Sequence, residues 1–142
     1  MMRLSVTVIV FVLSLSALGC IRGANPTTKT EAEEEALART EFTERIENFF
    51  EYEPLKAGKP SQFRIHLTDL SDGSPVEQAE VTITVRGKTG DSAGHTKAKI
   101  GKVTGIYVAE LNIPKPGNYD IEFRIKNNKL DERLPLADFK VE

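Results

Sequence analysis

Three side chains in this sequence could do chemistry beyond folding: one thiol, Cys20, and two imidazoles, His66 and His95. A single Cys in 142 residues leaves no internal disulfide and excludes a four-Cys zinc site. Imidazole is the commonest side-chain ligand for borderline metals. A site built from His66, His95 and a carboxylate such as Asp91 is therefore one reading; two solvent-facing histidines is the other. Both Met residues, Met1 and Met2, precede Cys20, so nothing downstream can build a thioether site for Cu(I) or Ag(I). Nucleophilic catalysis needs a base oriented by a third group. His66 has Thr68 and Asp69 close by in sequence, but no Ser in a nucleophile-elbow context accompanies it. The Gly-rich run from Gly87 to Gly94, GKTGDSAG, contains a GKT triplet without the phosphate-loop spacing before it or a helix after it. It reads as a mobile hairpin loop. The carboxylates are scattered over alternating positions, as solvation requires. The residues thus predict neither an enzyme nor a cofactor, and a net charge of −2 argues against a nucleic-acid partner.

The setting of Cys20 is more specific. One positive charge, Arg3, precedes an uncharged run from Leu4 to Leu18, and Gly19-Cys20 follows. At about 15 residues the run has the length of a signal-peptide core and falls short of the ~20 that span a bilayer. The pattern resembles a bacterial lipoprotein signal, which ends in a small residue followed by the Cys that is acylated. The resemblance implies a signal peptide over residues 1–19 and lipidation at Cys20. The partner of Cys20 would then be a lipid bilayer, since each buried CH₂ of an acyl chain contributes ~0.8 kcal/mol. Because Ile21, not Asp, follows the Cys, it further implies the outer membrane of a bacterial envelope, facing the periplasm.

Any such site must be carried by a body, and the body begins after a polar stretch. Residues 20–40 hold Pro26, several Thr and the cluster Glu31, Glu33, Glu34 and Glu35, with almost no large apolar residue. This composition cannot build a core and predicts a flexible acidic linker. From Glu41 the apolar period becomes two. Phe63, Ile65 and Leu67 form one set; Val81, Ile83 and Val85 a second; Tyr107, Ala109, Leu111 and Ile113 a third; Tyr119, Ile121, Phe123 and Ile125 a fourth. Each marks a half-buried strand. Ile46–Tyr52 and Leu134–Val141 are strand-like, and a weaker strand covers Thr96–Val103. Turn residues separate the runs, among them Ser71-Asp72-Gly73, Pro116-Gly117 and Asn127-Asn128.

About seven short strands and no long 3.6-residue period predict an all-β domain over residues 41–142, an immunoglobulin-like antiparallel β-sandwich. Tyr119, two residues before the core position Ile121 at a strand start, occupies the place of the corner tyrosine in such sandwiches. The stretches Phe49-Phe50-Glu51-Tyr52, Leu55 to Phe63, His66-Leu67-Thr68-Asp69-Leu70 and Pro114 to Tyr119 also carry a resemblance. From about Phe42 to Val141 the chain resembles the N-terminal immunoglobulin-like domain of periplasmic adaptor subunits in heavy-metal-type RND efflux systems. That resemblance implies a non-catalytic docking module with efflux-pump or other envelope proteins as partners. The adaptors continue into a lipoyl-like region and a helical hairpin, whereas this sequence stops at Glu142. The expectation is therefore an accessory module or a fragment of an adaptor. Two other readings stand beside it: a structural or adhesion-type surface lipoprotein, and a small periplasmic metal carrier using His66 and His95.

Overall fold

The computed structural model describes residues 35–142. The proposed signal peptide, Cys20 and most of the acidic linker lie outside the described residues. Every regular element among those described is a strand, and none is a helix long and apolar enough to cross a membrane. The strands are β1 (Leu37–Phe42), β2 (Ile46–Tyr52), β3 (Pro60–Asp69), β4 (Glu80–Gly87), β5 (Ser92–Lys97), β6 (Lys99–Ile100), β7 (Ile106–Asn112), β8 (Gly117–Lys126) and β9 (Asp131–Val141). They form two antiparallel sheets, ordered β1-β2-β3-β7-β6 and β5-β4-β8-β9. Taking β2 as the first strand, these orders match the A-B-E-D and C-F-G sheets of an immunoglobulin sandwich, with β5 added beside C and β1 added beside A.

The alternating apolar positions make the interior. Phe50, Phe63 and Ile65 of the first sheet, and Val81, Ile83, Val85, Phe123 and Ile125 of the second, are fully buried. Aromatic rings join the layers: the Phe50 and Phe123 centroids lie 4.9 Å apart, and those of Tyr52 and Phe139 5.7 Å apart. One polar side chain interrupts this interior. Asn48 sits between Ile46 and Phe50 on the inward side of β2, is 0% exposed, and its amide oxygen and nitrogen have no hydrogen-bond partner among the described residues.

Nine strands stand where about seven were expected, for two reasons. The expected weak strand at Thr96–Val103 is two strands. The chain pairs with β4 as far as Lys97, turns at buried Ala98, and pairs with β7 from Lys99, so it changes sheet in one residue. The Ala98 N–H still donates to the Val81 carbonyl at 2.8 Å. The second reason is β1, which begins four residues inside the stretch read as linker. On its inward face Leu37 is half exposed and Arg39 and Glu41 are charged, so it carries no hydrophobic alternation. Arg39 closes the side of the sandwich instead. Its Nε donates to Glu41 Oε1 at 3.1 Å, its Nη1 to the Ala137 carbonyl at 3.2 Å, and its guanidinium lies 4.8 Å from the Phe139 ring centroid. The expected loop over Gly87 to Gly94 is also shorter, a hairpin turn over 88–91 that ends where β5 starts.

These contacts set two stability outcomes for urea unfolding. Phe50→Ala, which empties the centre of the aromatic cluster, should cost about 3–5 kcal/mol. Asn48→Leu should leave the midpoint unchanged or raise it, because it replaces an unpaired buried amide by an apolar group of similar size.

Candidate functional site

The sandwich has two loop-bearing ends. At one of them the turn over 43–45, the β3–β4 loop (70–79), the turn over 101–105 and the β8–β9 turn (127–130) come together. The last strand residue of β3, Asp69, points inward at this end and is 9% exposed. Its Oδ1 accepts from the Ser71 hydroxyl at 2.6 Å and the Ser71 N–H at 2.9 Å, and its Oδ2 lies 3.6 Å from Arg45 Nη2. The Ser71 hydroxyl and N–H, with help from the Arg45 guanidinium, hold this carboxyl below the usual carboxylate range. Arg45 also donates through Nη1 to the Lys129 carbonyl at 3.0 Å, so one guanidinium ties three segments together.

Two further side chains brace the loops. Tyr107 of β7 buries its ring, donates its hydroxyl to the Val76 carbonyl at 2.7 Å and accepts from the Ala79 N–H at 3.0 Å. Burial raises the Tyr107 pKa, so the phenol stays protonated and keeps donating. Asn127 donates from Nδ2 to the Glu77 carbonyl at 3.0 Å and accepts from the Lys129 and Leu130 N–H groups at 2.8 and 3.0 Å. Gly105 is required where it stands: its φ is +79°, and a Cβ there would lie 2.6 Å from the Pro75 Cβ. Between these braces lies a cleft of about 370 Å³, walled by Asp69 and residues 74–78 on one side and 127–130 on the other. Glu77, Gln78, Asn128 and Lys129 are exposed at it. Gln78 holds a φ of +48°, uncommon for a residue with a side chain. The groups on offer are carboxylate, amide and ammonium, which bind by hydrogen bonds and charge.

The residues singled out in the sequence lie elsewhere. His66 points outward from the first sheet, edge-on to Phe49 at 5.3 Å, with its Nε2 3.9 Å from Glu51 Oε2. His95 is on β5, next to the Gly-rich run, and points outward from the second sheet beside Thr84, whose Oγ1 is 3.2 Å from its Nδ1. The sandwich therefore puts the two imidazoles on opposite outer faces, and they cannot share one ion. Asp91 sits in the β4–β5 turn, bonded through Oδ2 to the Thr89 hydroxyl at 2.9 Å. Among the described residues no three His, Cys, Asp or Glu side chains are grouped to hold a metal. Cys20 lies outside them. The Tyr119 hydroxyl donates to the Lys115 carbonyl at 2.9 Å, four residues upstream, and fastens the turn leading into β8 at the far end. Sequence reasoning missed Arg45, Tyr107 and Asn127 as a group. Only the run Asp69-Leu70-Ser71-Asp72-Gly73-Ser74, dense in residues that bond their own backbone, marked the place.

The family profile that matches the chain, over residues 43–124, more than half its length, is described as YtkA-like. The chain belongs to the YtkA-like family. The matched span holds β2 through most of β8, and hence the Arg45, Asp69 and Tyr107 parts of the cleft; β1 and β9 fall outside it. No curated protein matches this YtkA-like chain. Among solved structures it is similar to a DUF4426 family protein from Pseudomonas aeruginosa PAO1, at a TM-score of 0.52 and 11% identity, covering 74% of this chain and 97% of that one. The ZirS C-terminal domain gives a TM-score of 0.43 and 16% identity, covering 99% of this chain and 87% of that one. The first of these shows a shared fold; the second lies too far away to add to it.

Two measurements check the bracing. Tyr107→Phe should destabilise by about 1–3 kcal/mol, since it orphans the buried Ala79 N–H. For Asp69, the folded carboxyl binds a proton less readily than the unfolded one, whose pKa is about 3.9. Its stabilisation is complete above that value and fades as pH falls further. Asp69→Asn should therefore lower the urea midpoint at pH 7, and the gap to the parent should close in titrations carried below about pH 4.

Proposed function

We propose that this YtkA-like chain is a lipid-anchored, non-catalytic binding module of the bacterial envelope that holds a polar segment of a partner protein in the cleft at its loop end. The observation that carries the reading is the bracing. Arg45, Tyr107 and Asn127 tie segments far apart in the chain into one preformed opening. A site that is ordered before binding loses less entropy when the partner arrives. Loops on a rigid sandwich are a common place for recognition. The cleft's size lies at the lower end of ligand sites, and its open, charged rim suits a protein segment better than an apolar small molecule.

The anchor is supported by the resemblance of residues 1–20 to a lipoprotein signal. The partner class we propose is a component of a cation efflux assembly, which rests on the resemblance of residues 42–141 to an adaptor domain. A photo-crosslinking residue placed at Gln78 or Asn128 in the full chain, expressed in its native host, tests both parts. Crosslinks to an efflux component from these positions, and not from Lys115 at the far end, are expected. Equal labelling from both ends would remove the cleft reading, and recovery of abundant unrelated envelope proteins alone would remove the efflux reading. In the same host, Cys20→Ser should shift the protein from the membrane to the soluble fraction.

A further inference from the structure

A sandwich exposes four sheet edges, and an unprotected edge is a template for another strand. Three of the four are blunted here. β6 is two residues long, and β5 carries a bulge at Ala93 in its pairing with β4. β9 carries Pro135 and breaks its register opposite Tyr119 and Ile121, with Asp138 at a φ of +66°. β1 lacks such breaks, and its inward charges, Arg39 and Glu41, are paired with each other. It is six residues of regular pairing with β2, without proline or bulge, and among the described residues no strand pairs with its outer edge. Leu37 and Phe42, at its two ends, are 48% and 58% exposed.

We propose that β1 pairs antiparallel with β1 of a second copy of this chain, joining two five-stranded sheets into one of ten. The pleat and the charges select the register. Opposed residues must lie on the same face of the joined sheet, and Ala38, Thr40 and Phe42 share the outer face while Leu37, Arg39 and Glu41 share the inner one. Centring the pair on Thr40 satisfies this: Thr40 faces Thr40, Arg39 faces Glu41 of the second copy, and Ala38 faces Phe42. Centring on Arg39 or on Glu41, the neighbouring registers with matched faces, would oppose two guanidiniums or two carboxylates, which is unfavourable. In the favoured register the Arg39–Glu41 pair within each strand becomes a network of four alternating charges.

An interface of one strand pair is small, so the dimer is weak and concentration-dependent. Cysteine crosslinking of the full-length chain under mild oxidation reads it, because opposed residues of an antiparallel pair lie ~4.5–5.5 Å apart, within disulfide range. Thr40 is exposed, so Thr40→Cys leaves the fold intact. Thr40→Cys should give covalent dimer at least tenfold faster than Glu41→Cys or the far-end Lys115→Cys, with a rate that rises with protein concentration. The parent chain, with Cys20 as its only thiol, sets the background. Equal rates for Thr40→Cys and Lys115→Cys would overturn the pairing, and Glu41→Cys as fast as Thr40→Cys would overturn the register.

Discussion

Contact between aromatic rings across the two layers governs this molecule, because no covalent link is available to hold the sheets together. Phe50 lies against Phe123 at 4.9 Å, and Phe63 and Phe139 approach Phe50 at 6.2 and 6.4 Å. An antibody domain pins the same layers with a disulfide. Here the second-Cys position falls at Ile121, which is 1% exposed, and the only thiol of the chain lies ahead of the sandwich. The sheets can therefore stay in register only while each strand keeps its inward residues inward. A one-residue slip of β2, β3 or β8 would turn rings of this cluster to water. The surface ion pairs, such as Lys97–Glu80 and Lys88–Asp120, are exposed on both partners and contribute little beside this.

That dependence explains what could be read from the sequence. The inward sets of β3, β4, β7 and β8 are apolar at every second position, so their period gave both the strands and the face each presents. β1 escaped because, beyond the half-exposed Leu37, its inward residues are Arg39 and Glu41, which satisfy each other and a carbonyl on the other sheet. β5 was anticipated only from Thr96 onward, for a related reason: Gly94 and Thr96 are inward residues too small and polar to show a period. His95, directly after the Gly-rich run, alternates outward on this strand. A hydrophobic pattern reports what packs against the core. It is silent about edges held by charge or by backbone alone.

The cleft was less legible still. Its braces join positions far apart in sequence: Asn127 reaches Glu77, Arg45 reaches Lys129, and Tyr107 reaches Val76. Each of these looks ordinary in isolation, a turn asparagine, a surface arginine and a core tyrosine. They become a group only when the hairpin turn and the β3–β4 loop are folded to the same end of the sandwich. Asp69 illustrates the limit. Its place beside His66 in the sequence invites a catalytic pairing, yet the pleat turns His66 outward and Asp69 inward, where Ser71 takes up its carboxylate.

The two outer strands beyond the family-matched span belong to one piece of architecture. A bulge in β9 removes Ala137 and Asp138 from the regular ladder with β8. This blunts the edge of the second sheet, and it also leaves the Ala137 carbonyl to accept from Arg39 Nη1. The same guanidinium covers the face of Phe139, the residue that resumes the ladder after the bulge. Arg39 can reach both only because β1 extends the first sheet by one strand over β9. The bulge that blunts the edge of the second sheet is thus capped by Arg39 of the strand added at the edge of the first. The chain that enters β1 comes directly from the acidic segment, so whatever lies ahead of residue 35 is joined to the sandwich at the strand that seals its side.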